Sequence, residues 1–116
     1  VSLLWWQGGA DATSPSTADV YLTKLLSVSE LMRRDRGAGL GWHIAGLTIS
    51  AEQEPSYPGY ATVRAAMTTH CNNGAGYQFI DTDGLPIQVD GLHAERPKTS
   101  FVGRTYIQQL RANGVL

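Results

Sequence analysis

Apolar and polar positions alternate in two rhythms along this chain. It opens on a short apolar run, Val1 to Trp6, closed by Gly8-Gly9, which predicts a strand buried on both faces. Ser14-Pro15 then offers a capping hydroxyl and a proline suited to the first helical position. Beyond it Val20, Tyr21, Leu25, Val28 and Met32 recur at helical spacing, which predicts one amphipathic helix with these side chains inward. Arg33, Arg34 and Arg36 suit its C-terminus, and Gly37 and Gly39 stop it. Trp42 to Ile49 reads as a second strand and Ala51 to Gly59 as a loop. A second helix runs from Tyr60 to about Asn72, followed by a third strand at Tyr77 to Ile80. The loop Asp81 to Pro97 leads into a last helix, Lys98 to about Ala112, with Phe101, Val102, Tyr106, Ile107 and Leu110 inward.

Strands separated by helices of crossover length call for a parallel sheet covered by helices, an α/β fold of three layers, α/β/α. In such sheets ligands meet the carboxyl ends of the strands. That rule brings Gln7 to Asp11 and the loop containing Val89 to Glu95 onto one rim. The 116 residues, 42% hydrophobic and 16% charged, form a single domain on this reading, long enough to bury roughly two thirds of its unfolded surface. Nine basic side chains against ten acidic ones give a formal charge of −1, so no basic field attracts nucleic acid. Cys71 is alone, which excludes an internal disulfide and a cysteine-rich metal site. No apolar run approaches the roughly 18 to 20 residues of a membrane span, and no targeting segment is visible. Because Val1 already lies inside an apolar run, a missing N-terminal part is expected.

Chemistry concentrates on the predicted rim. Asp90 and His93 stand three apart with Gly91 between them, a spacing that lets a tight turn bring the carboxylate onto the imidazole. Asp90 would orient His93 and stabilise its protonated form, and His93 would act as general base. His43 is expected to be a hydrogen-bonded core residue. His70 and Cys71, adjacent on a helix, diverge by about 100° and cannot chelate together. Asp81 and Asp83 flank a turn and suit Asx-type hydrogen bonds. Trp5 and Trp6 alternate across the first strand, one for each helix layer.

Together the two rim motifs, Trp5-Trp6-Gln7-Gly8-Gly9-Ala10-Asp11 and Asp90-Gly91-Leu92-His93, resemble the SGNH hydrolases, in the branch of sialate O-acetylesterase-like and acetylxylan esterase-like carbohydrate esterases. That branch carries a W-x-Q-G-E-[SA]-[DN] block after a central strand and a D-G-x-H block before its last helix. The resemblance spans nearly the whole chain and implies a flavodoxin-like sheet, here lacking its N-terminal strands. It matches Asp90 and His93 to the acid and base of a Ser-His-Asp triad. It matches Gln7, with the backbone at Gly8, to the oxyanion hole. Trp6 and Asp11 become candidates for contacting an acylated carbohydrate. The implied reaction is hydrolysis of O-acetyl or short-acyl esters without metal or cofactor. An extracellular or periplasmic setting fits the family.

The chain departs from the pattern at two positions and in one missing block. Gly9 replaces the usual glutamate, Lys98 stands where many members have glycine, and no nucleophile block is found. Ser2, Ser14, Ser16, Ser27, Ser29, Ser50, Ser56 and Ser100 all lack the strand-turn-glycine setting of an exposed nucleophile. The serine is therefore expected outside this chain, which makes it the C-terminal part of an esterase domain. The alternative is a non-catalytic module that binds a carbohydrate or a protein. A missing sheet half would also leave an exposed edge prone to self-association.

Overall fold

The structure, a computed structural model, describes residues 2–74 and 76–116. Val1, placed by the sequence in the first strand, lies outside them. Three strands, β1 (Ser2–Trp5), β2 (Gly41–Ala45) and β3 (Tyr77–Ile80), form a parallel sheet in the order β1-β2-β3. Between them run α1 (Pro15–Asp19), α2 (Tyr21–Arg36) and α3 (Tyr60–Asn72), and α4 (Arg96–Ala112) follows β3. The fold is α/β, as the alternation of strand and helix patterns predicts.

Side chains alternate across each strand, and the register aligns them into two faces. Leu3, Trp5, Trp42, Ile44, Tyr77 and Phe79 face the larger cluster, which holds Tyr21 and Leu25 of α2 and Val63 and Met67 of α3. Leu4, Ala45 and Ile80 point the other way, onto Val102, Phe101 and Tyr106 of α4. His43 lies on this second face, its Nδ1 2.6 Å from Gln109 Oε1 and its ring edge-on to Tyr106, the hydrogen-bonded core position expected of it.

The first predicted helix is two helices. Val20 interrupts it at φ −96° and ψ −3° and is exposed rather than inward. The reason is docking of the first turn. Gly59 N–H donates to the Ala12 carbonyl at 2.9 Å, and Thr17 Oγ1 donates to the Asp11 carbonyl at 2.7 Å. These bonds pin α1 beside α3, and the chain must turn at Val20 before Tyr21 and Leu25 can reach the sheet. The second strand also stops sooner than its apolar run, at Ala45. The neighbouring ladder ends with Gly46 N–H donating to the Ile80 carbonyl at 2.9 Å. Leu47 and Ile49, beyond the strand, are buried in the larger cluster. On α4, Ile107 is exposed, whereas Lys98 is buried.

Candidate active site

Two loops and the start of α4 meet over the carboxyl ends of the strands. The loop from Ile87 to Ala94 closes on itself, with Gln88 N–H donating to the His93 carbonyl and Gly91 N–H to the Gln88 carbonyl, each at 2.8 Å. Gly91 takes φ +72°, and a Cβ there would lie 2.5 Å from both Gln53 Cγ and Ser50 Oγ. Only glycine accepts both the left-handed backbone and that approach. Ser50 N–H donates to the Gly91 carbonyl at 2.8 Å, which anchors the turn to the segment after β2.

That turn orients a carboxylate and an imidazole. Asp90 Oδ1 accepts the backbone N–H groups of Leu92 at 3.0 Å and His93 at 2.9 Å, and Oδ2 lies 2.6 Å from His93 Nδ1. The two backbone donors, with the imidazole third, hold the Asp90 carboxyl down to about 2. A carboxylate on Nδ1 puts the ring proton there and leaves Nε2 for proton transfer. Both side chains are substantially open to solvent, 70% for His93 and 45% for Asp90.

On the opposite rim, Gln7 Nε2 donates to Asp11 Oδ2 at 2.8 Å. The Gln7 carbonyl accepts from Tyr21 Oη at 2.9 Å, and Tyr21 in turn accepts from Trp5 Nε1 at 3.2 Å. Burial raises the pKa of the Tyr21 hydroxyl above its ordinary value, so it stays a donor. Gly8 turns the chain at φ +146°, where a Cβ would meet Met67 Cε at 2.8 Å and Val63 Cγ1 at 2.9 Å. A Cβ at Gly9 would meet only ordinary contacts, the nearest Leu92 Cδ1 at 3.5 Å. A Cβ is therefore accommodated there.

Trp6, Gln7, Gly8 and His93 line one cleft of about 440 Å³. Asp90 stands behind His93 and Asp11 behind Gln7, each holding the group in front of it. Trp6 is 37% exposed and belongs to the cleft rather than to a helix layer, whereas Trp5 packs on Trp42 with ring centroids 5.6 Å apart. No serine is among the residues that line the cleft. The motifs also left out Thr48 and Lys98, which line it too. Thr48 Oγ1 lies 2.6 Å from Thr82 Oγ1, which itself donates to the Gly46 carbonyl at 2.7 Å.

The family model of a carbohydrate esterase, sialic acid-specific acetylesterase, matches residues 1–112. The chain belongs to that esterase family. Comparison with curated protein sequences gives no match. Among solved structures, this chain is similar to an Arabidopsis thaliana protein, with a TM-score of 0.82 at 21% identity. The match covers 97% of this chain and 44% of that one. At that identity the likeness speaks for the fold alone.

The remaining histidine, His70, and the cysteine lie away from the cleft. His70 is buried, stacked on Tyr77 at 4.8 Å and edge-on to Trp42, and burial holds its pKa below the ordinary value. Burial pushes the adjacent Cys71 thiol up to about 11. Asp83 N–H donates to Asp81 Oδ1 at 3.0 Å, the expected Asx contact, and Arg64 pairs with both carboxylates. Among the described residues, no cluster of His, Cys, Asp and Glu is placed to hold a metal ion, and no helix is long and apolar enough to cross a membrane.

Proposed function

We propose that this chain supplies the base, its orienting acid and an oxyanion donor for hydrolysis of O-acetyl or short-acyl esters on a carbohydrate, with the nucleophilic serine outside the chain. The observation that carries this reading is the 2.6 Å contact between Asp90 and His93 on the same cleft as Gln7. A serine Oγ attacks the ester carbonyl carbon while its proton passes to His93 Nε2. The carbonyl oxygen takes the negative charge, and the Gln7 amide with the backbone N–H at Gly8 stabilises it. Asp11 takes one N–H of the Gln7 amide and fixes its plane, which leaves the second N–H for the oxyanion. Collapse breaks the bond to the sugar oxygen, which receives the proton held by the imidazolium. Water then repeats the sequence on the acyl-serine and releases the acid. Each carboxylate here stabilises a partner rather than reacting itself.

Trp6 would lie against the sugar ring. A serine outside the chain agrees with a cleft whose lining includes none and with the 44% of the Arabidopsis chain that the match spans. The same missing serine favours one competing reading, a module that binds carbohydrate without hydrolysing it. A fluorophosphonate probe, which phosphonylates only activated serines, separates the two. In a polypeptide extended upstream of residue 1, the label is expected on an upstream serine and is lost in His93→Ala. Label on a serine of the 116-residue chain would place the nucleophile wrongly. No His93-dependent label in either polypeptide would leave the binding module.

A further inference from the structure

Gln7 is held from behind twice, its side chain by Asp11 and its main chain by Tyr21. The second hold has a fixed direction. Trp5 Nε1 can only donate, so Tyr21 Oη accepts from it at 3.2 Å. A phenol has one proton, and the acceptor left for it is the Gln7 carbonyl at 2.9 Å. Tyr21 is 3% exposed and belongs to the larger core cluster, so this carbonyl is drawn toward the core. The Gln7–Gly8 peptide bond is trans, and a trans peptide sets its C=O and the following N–H in opposite directions. The Gly8 N–H therefore points away from Tyr21 and from the core behind it.

Gly8 is a buried residue, yet among the described residues its N–H has no acceptor, although its carbonyl accepts the Ala12 N–H at 3.0 Å. Buried backbone donors are nearly always paired, and Gly8 lines the cleft, so this donor is available to a ligand. We propose that Tyr21 is a positioning residue: its hydroxyl locks the Gln7–Gly8 peptide plane with the Gly8 N–H turned into the cleft, toward an oxygen that gains negative charge. The role in turnover rests on the esterase reading, whereas the locked peptide does not. Tyr21 Oη stands close enough for this, since a Cβ on Gly8 would lie 3.4 Å from it. Without the hydroxyl the Gln7 carbonyl loses this partner, and a glycine beside it resists rotation of the plane only weakly.

Tyr21→Phe keeps the ring in the core and removes only the hydroxyl. In carbon-13 and nitrogen-15 spectra of the 116-residue chain, the Gln7 carbonyl and Gly8 amide resonances are expected to move while those of β3 stay in place. A Gln7 carbonyl resonance that does not move would overturn the locked peptide. In the upstream-extended polypeptide, the same substitution should lower kcat on an O-acetylated monosaccharide about tenfold, less than the 10² to 10³ that follows removal of an oxyanion donor, with KM unchanged. The midpoint of the pH–rate profile, set by His93, should stay where it is, because the Asp90–His93 pair is untouched. An unchanged kcat would overturn the proposal. So would a fall accompanied by a shifted midpoint, by assigning the effect to the Asp90–His93 pair. No turnover by the unmodified polypeptide would reject the esterase reading and the role in turnover with it, and the resonances alone would then decide whether Tyr21 locks the peptide.

Discussion

Asp90 has both carboxylate oxygens occupied, one by two backbone N–H groups and the other by His93. The carboxylate form is the one these donors favour, which is why the group is held to about 2. The sign follows from linkage. A carboxyl lower in the folded chain than its ordinary value of about 3.9 stabilises the fold above that value. The contribution is lost as the pH falls through about 2, and a carbon-13 titration of the Asp90 carboxyl should show its midpoint there. A midpoint near 3.9 would mean the turn is not closed in solution. Gly91→Ala is expected to destabilise by about 1–2 kcal/mol from backbone alone, and more from the contacts with Gln53 and Ser50. Urea unfolding reads it, and an unchanged midpoint would contradict the left-handed turn. The Asp90–His93 contact was legible in the sequence because it spans three residues. Lys98 was not, because its burial depends on how α4 rotates against the sheet.

The elements were mostly legible where a period was uninterrupted. β3 and α3 lie where the pattern puts them: α3 is bounded by Gly59 and Asn73, and β3 by Gly76 and Asp81. The break at Val20 was invisible because a one-residue turn hardly disturbs helical spacing, and its cause is the bond from Gly59, far along the chain, to the Ala12 carbonyl. The early end of β2 has a similar origin, in a partner strand that stops at Ile80. Between the elements, the His43–Gln109 contact ties β2 to α4 and so helps to fix the helix that begins beside the cleft. Gln109→Leu should cost about 1–3 kcal/mol, because it leaves a polar atom of the buried imidazole unpartnered. Equal thermal midpoints for the two proteins would show that water reaches His43 instead.

The molecule as a whole is unevenly covered. One sheet face carries α1, α2 and α3, while the other carries α4 alone, and the outer edge of β1 has no partner strand among the described residues. Such an edge offers a row of unpaired backbone groups. Sedimentation of the 116-residue chain is expected to show association that increases with concentration, and a monomer throughout would contradict this. On the proposed reading, further strands complete the sheet at this edge and a serine from outside the chain meets His93 in the cleft. That is the central claim, and initial rates on an O-acetylated monosaccharide test it most directly. The comparison is between the upstream-extended polypeptide and its His93→Ala, Asp90→Asn and Gln7→Ala variants. The account predicts turnover by the unmodified protein, near-complete loss with His93→Ala, a fall of about 10⁴ in kcat with Asp90→Asn, and one of about 10² to 10³ with Gln7→Ala. Turnover that survives the loss of His93 would contradict it.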